Sequence, residues 1–221
     1  YGAINQEGID FYDRLIDALL EKNIEPFITL FHWDLPQVLQ EQGGWLNPEI
    51  AKWFGEYSGI LSDRFSDRVS NWFTLNEPQC FIGLGHYAGH KAPGLKLGVK
   101  DSLLALHHSL LAHGLSVRAL RDNAKKPIKV GPVPTGSVAY PTVDTPANRD
   151  AAYKATFNVL GSEEDKHMCH RWKVPVNPLW NIAWYTDPIF LGEYPEQGIE
   201  ALGDNVPCIS GIEDLLEIII F

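Results

Sequence analysis

The sequence lacks basic clusters, long hydrophobic runs and a cysteine framework, and each absence excludes a class of protein. Its 18 lysines and arginines are scattered among 28 acidic residues, so the net charge is −10 and nucleic acid is not an expected partner. No apolar run approaches the roughly 20 residues that a membrane helix needs, so no membrane segment is expected. The three cysteines are too few and too scattered for a disulfide framework or a zinc knuckle, and they favour a reducing, cytoplasmic location.

What the sequence does contain is enough apolar material for a sizeable core. Of its 221 residues, 45% are hydrophobic and 11% are aromatic, so we predict a single domain over residues 1–221. The last residues, 214–221, form an apolar run that ends in three isoleucines and a phenylalanine. We interpret that run as part of a core element that has been cut, because it would aggregate if it were exposed.

Hydrophobic periodicity predicts three strand–helix units in series. Apolar residues at helical spacing alternate with short apolar runs that suit buried strands. Strands that alternate with helices indicate an α/β fold with a parallel sheet. The predicted strands are 24–31, 72–75 and 127–133, and the predicted helices are 7–22, 48–65, one that begins near Asp101, and 146–159.

Polar side chains follow the first two predicted strands at the point where each strand ends. The carboxyl end of a parallel strand is where α/β folds place their chemistry. Pro78 cannot continue a central ladder, and it drives the preceding Glu77 out of the right-handed helical region. An aromatic face with imidazole, amide and carboxyl groups suits a hydroxyl-rich ring better than a phosphate, because no glycine-rich cradle is present. These candidate site residues are His32, Trp33, Asp34, Asn76, Glu77 and Cys80.

Other polar residues have structural interpretations that compete with functional ones. His107, His108 and His113 lie on a leucine-rich helix without a clean i, i+4 pair, so we interpret them as ordinary helical histidines rather than metal ligands. His32 and Asp34 lack a third ligand at a useful spacing. No metal or other cofactor is therefore expected. We interpret the glycine-rich segment 79–98 as a loop.

Several motifs, in order along the chain, resemble glycoside hydrolase family 1, the β-glucosidase family. They are GIDFY at 8–12, LFHWDLP at 30–36, GGW at 43–45, TLNEP at 74–78, DPIF at 187–190 and GEYP at 192–195. The resemblance implies a partial (β/α)₈ TIM barrel containing about strands three to five, and hydrolysis of β-glucosides with retention. It also implies that Glu77 is the general acid/base and that Asn76 and His32 bind sugar hydroxyls. Trp33 would line the sugar pocket, and Cys80 would form part of its wall.

The chain also departs from the family pattern. The family's nucleophile is a second glutamate in a Thr-Glu-Asn-Gly type motif, which does not occur in these residues. The first two strands of the barrel are not represented, and segment 161–178 and about the last ten residues do not follow the pattern. A catalytically inactive fragment, structural or weakly sugar-binding, is therefore the alternative prediction. Three parallel strands cannot close a barrel, so we expect a homo-oligomer, or a complementing chain, to pair through the open sheet edges.

Overall fold

The computed structural model of the chain describes residues 3–136, 138–159 and 178–207. Segment 161–178, which does not follow the family pattern, lies outside the described residues except for Pro178, and so does the apolar run 214–221. The chain divides into two compact units. The first, here called the strand unit, comprises Tyr1–Asn76 and Ala112–Val133, and the second, the helical unit, comprises Glu77–Leu111 and Pro134–Phe221. The prediction of a single domain over 1–221 stays a prediction.

The strand unit contains a three-stranded parallel sheet, as predicted. Strands β1 (Phe27–Phe31), β2 (Asn71–Asn76) and β3 (Lys129–Val133) lie in the order β1-β2-β3. All neighbouring pairs are parallel, so the carboxyl ends of the strands lie at one edge of the sheet. The register between β2 and β3 is irregular between Phe73 and Asn76, just before the predicted site.

Strand β1 is shorter and more exposed than the sequence predicted. The predicted buried strand 24–31 begins only at Phe27, whose side chain is 57% exposed. Only Leu30 and Phe31 at its carboxyl end are buried. An apolar run alone does not reveal whether both faces of a strand are covered, and here β1 is an edge strand among the described residues.

Helices α1 (Gln6–Glu21), α2 (Gln37–Glu41) and α3 (Ile50–Phe65) complete the first part of the strand unit, with a 3₁₀ turn at Gly44–Leu46. The core of this unit is aromatic. The ring of Phe31 lies 5.3 Å from that of Trp45 and 6.4 Å from that of Phe54. Trp45, Trp53 and Trp72 are all buried, so these three tryptophans serve as packing residues.

Helix α4 (Val99–Asp122) contributes its second half to the strand unit and its first half to the helical unit. In the strand unit it packs closely on α3. The hydroxyls of Ser58 and Ser116 lie 2.7 Å apart, and Ser62 donates to the carbonyl of Leu120 at 2.7 Å. These buried hydroxyls are satisfied across the helix–helix contact, as burial requires.

The helical unit has no strand among its described residues. It contains α5 (Pro146–Phe157), α6 (Ala183–Phe190) and α7 (Glu196–Leu202), with 3₁₀ turns at Pro178–Trp180 and Gly203–Asn205. The prediction that α5 begins after Thr145 is confirmed, since the side chain of Thr145 accepts from Asn148 N–H at 3.2 Å. No helix among the described residues is both long enough and apolar enough to cross a membrane.

The interpretation of residues 79–98 as a loop was wrong over its first part. Cys80–Tyr87 form a π-helix, and the irregular segment begins after it. The π-helix continues through its glycines, and these glycines leave room for neighbouring groups. A Cβ at Gly83 would lie 3.1 Å from the Trp180 ring, and one at Gly85 would lie 2.5 Å from the carbonyl oxygen of Ala92.

Candidate active site

The strand unit holds four of the predicted site residues at the carboxyl ends of β1 and β2, and three of them contact one another. Trp33 Nε1 donates to the carbonyl of Asn76 at 2.9 Å. The amide Nδ2 of Asn76 lies 3.4 Å from Nε2 of His32, at the long end of hydrogen bonding. The rings of His32 and Trp33 are 5.2 Å apart. These contacts bring the three residues together, as expected for side chains that follow neighbouring parallel strands.

The backbone after β1 is unusual at Trp33. Its φ is +79°, in the left-handed region that bulky side chains rarely adopt. His32 N–H donates to Asp34 Oδ1 at 3.3 Å, which closes a tight turn around Trp33. Asp34 thus shapes the turn, while His32 is exposed and Trp33 and Asn76 are half-buried. Strain of this kind persists where the surrounding contacts fix it, and it is commonest at functional sites.

A buried histidine anchors β2 just before Asn76. His113 Nδ1 lies 2.7 Å from Thr74 Oγ1, and both side chains are fully buried. Burial lowers the pKa of His113 to about 4, so the imidazole is neutral at physiological pH. Sequence reasoning assigned His113 to ordinary helix packing and missed this contact, because residues 39 positions apart give no local signal.

The helical unit begins with Glu77, the predicted general acid/base. Its φ is +42°, so Pro78 does exclude the right-handed helical conformation, and the residue adopts the left-handed one. Its carbonyl accepts from Cys80 N–H at 2.7 Å, and its carboxylate Oε2 accepts from Cys80 Sγ at 3.3 Å. Glu77 is half-buried and Cys80 is 9% exposed. The structure therefore brings together the second pair of predicted residues.

Gln79 is a residue that the sequence analysis missed. Its side chain is fully buried, and both ends of its amide bind the backbone of Thr135. Nε2 donates to the Thr135 carbonyl at 2.5 Å, and Oε1 accepts from Thr135 N–H at 3.2 Å. This clamp holds the segment that follows Glu77 to the segment that follows β3. A glutamine near a strand end gives no sequence signal for it.

The remaining histidines do not form a metal site among the described residues, where no group of three suitable ligands occurs. His107 Nδ1 lies 2.8 Å from the hydroxyl of Tyr194, and burial lowers the pKa of His107 to about 4, with a smaller contribution from His108. An apolar pocket in the helical unit is lined by Leu103, His107, Trp184, Tyr194, Ile199, Val206 and Pro207. None of these is a predicted site residue.

Comparison with known proteins identifies the family. The family model for glycosyl hydrolase family 1 matches residues 1–217. A 1,4-beta-D-glucan glucohydrolase of Thermotoga neapolitana is 40% identical over 210 residues, covering 93% of this chain and 43% of that protein. Beta-glucosidase A of Thermotoga maritima is 38% identical over 207 residues, with 93% and 41% covered.

Solved structures agree with the sequence matches. A beta-glucosidase from Thermotoga maritima in complex with deoxynojirimycin matches with a TM-score of 0.76 at 37% identity, covering 99% of this chain and 44% of that one. The three parallel strands and their helices are therefore part of a (β/α)₈ TIM barrel, as predicted. The chain spans less than half the length of these relatives. With its motifs, its fold and the family model in agreement, the chain belongs to glycosyl hydrolase family 1.

Proposed function

We propose that the chain forms part of a retaining β-glucosidase that cleaves β-linked glucosides or related oligosaccharides, with Glu77 as its general acid/base. The observation that carries this proposal is the posture of Glu77 within a family 1 sequence. It stands directly after strand β2, in a left-handed backbone conformation, with one carboxylate oxygen held by Cys80. The names of the relatives, beta-glucosidase and glucohydrolase, support the substrate class.

In the proposed reaction Glu77 protonates the glycosidic oxygen as the aglycone leaves. It then takes a proton from the water that hydrolyses the glycosyl-enzyme intermediate. A retaining mechanism needs a second carboxyl about 5–5.5 Å away as the nucleophile. Because the 221 residues contain no Thr-Glu-Asn-Gly type motif, we propose that this carboxyl comes from polypeptide outside them.

The strand unit supplies the proposed sugar contacts. Asn76 and His32 offer an amide and an imidazole that hydrogen-bond to ring hydroxyls, and Trp33 offers a flat apolar face. The bond from Trp33 Nε1 to the Asn76 carbonyl fixes the indole before any ligand arrives. Such preorganisation lowers the entropic cost of binding. In the helical unit Cys80 is assigned to the wall beside Glu77.

A chromogenic assay tests the catalytic proposal. The active preparation is one that also contains the polypeptide carrying the nucleophile, and we expect it to hydrolyse p-nitrophenyl β-D-glucopyranoside. The rate of hydrolysis should fall about 10²-fold or more in Glu77→Gln, because an amide cannot act as a general acid. Glu193→Gln is the matched control, since Glu193 is an exposed carboxylate of the same unit, and it should keep its activity. Equal activity of Glu77→Gln and the parent chain would contradict the proposal.

The runner-up is a catalytically inactive fragment, which the absence of the nucleophile motif favours. It predicts no turnover by the chain, with or without the Glu77→Gln change. Calorimetry with deoxynojirimycin, the ligand named for one relative, then separates a sugar-binding fragment from a structural one. If the parent chain gives a heat of binding that Asn76→Ala loses, the fragment binds sugar. If the parent chain gives no heat of binding, its role is structural.

We also propose that the chain associates through its open sheet edges, with a second copy or a complementing chain. Among the described residues the outer edges of β1 and β3 carry no partner strand. Apolar side chains are exposed on α1 and on β1, namely Phe11 at 53%, Leu15 at 41% and Phe27 at 57%. Unpaired strand edges and exposed apolar side chains are both features to which another chain binds.

Sedimentation velocity tests this association. We expect the sedimentation coefficient to rise with concentration, and Phe11→Ser combined with Leu15→Ser to weaken the association about tenfold or more, because apolar contact area is lost. Val143→Ser removes a comparably exposed apolar side chain from the helical unit and should have no effect. A strictly monomeric species at all concentrations would contradict the proposal.

A further inference from the structure

We propose that Cys80 is a positioning residue for Glu77, whose thiol holds carboxylate oxygen Oε2 and leaves Oε1 to carry the transferred proton. The inference rests on the proposed function, because it assigns a task to Cys80 in that reaction. It goes beyond a place in the pocket wall, because the sulfur contacts the carboxylate itself.

Two contacts join the same pair of residues. The Cys80 amide donates to the Glu77 carbonyl at 2.7 Å, and the Cys80 thiol donates to Glu77 Oε2 at 3.3 Å. The first fixes the turn that leads into the π-helix Cys80–Tyr87, and the second fixes the side chain. With φ at +42°, Glu77 occupies a sparsely populated conformation that persists only when its surroundings hold it. The pair of contacts supplies that constraint.

A thiol suits a group that must change its protonation state during the reaction. The S–H group is a weak donor, and Oε2 accepts from it both as a carboxylate oxygen and as the carbonyl oxygen of an acid protonated at Oε1, so the contact survives in both forms of Glu77. A lysine or arginine in this place would favour the ionised form. Cys80 therefore directs the carboxyl group without fixing its charge.

A second titratable group that interacts with Cys80 in the helical unit is Tyr185. Burial raises the pKa of Tyr185 well above its ordinary value, and the neighbouring Cys80 and Tyr194 raise it further. Tyr185 is thus neutral across the working pH range. The Cys80 thiol contacts the Glu77 carboxylate directly, so the reactivity of the thiol responds to the charge on that carboxylate.

Alkylation kinetics test the contact directly in the whole chain. A background with Cys169→Ser and Cys208→Ser leaves Cys80 as the single thiol. Iodoacetamide is the probe, and the alkylation rate is measured from pH 6 to pH 10. We expect Glu77→Gln to raise the rate about tenfold at neutral pH and to shift the pH dependence about one unit lower, because a neutral amide no longer repels the thiolate.

The pH profile separates this effect from a change in folding. A loosened structure multiplies the alkylation rate equally at every pH, whereas removal of the carboxylate charge displaces the whole profile. Glu193→Gln is the matched control and should leave the profile in place. Identical profiles for Glu77→Gln and its parent, or a uniform rise without displacement, would overturn the proposal.

A kinetic comparison adds the catalytic readout in the active preparation. We expect Cys80→Ala to lower kcat about tenfold with little change in KM, and Cys80→Ser to restore most of it, because serine keeps the hydrogen bond. A displaced alkylation profile with no hydrolysis in any preparation would refute the proposed function while the thiol–carboxylate contact stands. An unchanged profile refutes the role of Cys80 whatever the activity.

Discussion

The two units of the chain are built from different kinds of local order. The strand unit is organised by a parallel sheet, whose central strand β2 is flanked by β1 and β3, and its polar groups at the strand ends hydrogen-bond to one another. The helical unit has no strand among its described residues, and close contacts at glycines shape it instead. The difference teaches that the proposed sugar-contact residues rest on a regular framework, whereas Glu77 rests on irregular backbone.

Both units nevertheless bury a neutral histidine, and these two groups give the largest expected effect. His113 in the strand unit and His107 in the helical unit each have a pKa lowered from 6.5 to about 4 by burial. Between pH 6.5 and pH 4 the unfolded chain binds more protons than the folded chain. The free energy of unfolding is therefore highest above pH 6.5 and falls as the pH drops. Each histidine should remove about 3 kcal/mol from the free energy of unfolding by pH 4.

Urea denaturation from pH 4 to pH 7 measures that loss and sharpens the comparison. His113→Gln should flatten the pH dependence of the strand unit, and His107→Gln that of the helical unit. If the units unfold separately, each change affects a different transition. The control is His90→Gln, since His90 is exposed. If the free energy of unfolding depended on pH in the same way in all variants and in the parent chain, burial would not lower the pKa of these histidines.

A smaller effect is expected where the helical unit depends on glycine. A Cβ at Gly85 would lie 2.5 Å from the carbonyl oxygen of Ala92, a backbone atom that cannot swing away. Gly85→Ala should therefore lower the free energy of unfolding by about 2 kcal/mol, within the range for overpacking. At Gly98 no atom lies within 4 Å of the added Cβ, so Gly98→Ala should change it by about 0.5 kcal/mol or less. Equal losses in the two variants would contradict the packing argument.

The sequence predicted the strand unit better than the helical unit, and the reason is physical. Strand β2 of the strand unit carries its own signal, an apolar run stopped by Pro78. In the helical unit α5 also carries one, a threonine cap followed by Pro146, but other elements do not. The π-helix was not predicted, because Gly83 and Gly85 are residues that usually interrupt a helix. In the structure they allow Trp180 and Ala92 to approach closely. Helix α7 was not predicted, because its seven residues are too few to show a clear helical spacing of apolar residues.

The site residues show the same division. His32, Trp33 and Asn76 were predicted because parallel strand ends must meet at one edge of a sheet. The role of Glu77 came from the resemblance of TLNEP to the family motif. The thiol of Cys80 against the Glu77 carboxylate and the Gln79 clamp on Thr135 were not predicted, because side-chain direction depends on backbone angles that the sequence does not display.

The central claim, that Glu77 donates a proton to the leaving group, is tested most directly with aryl β-glucosides of graded leaving-group acidity. The quantity to measure is kcat/KM for the active preparation and for Glu77→Gln. The account predicts a fall of about 10²-fold or more for phenyl glucoside and little change for dinitrophenyl glucoside, whose phenolate leaves without protonation. An equal fall for every leaving group would contradict it.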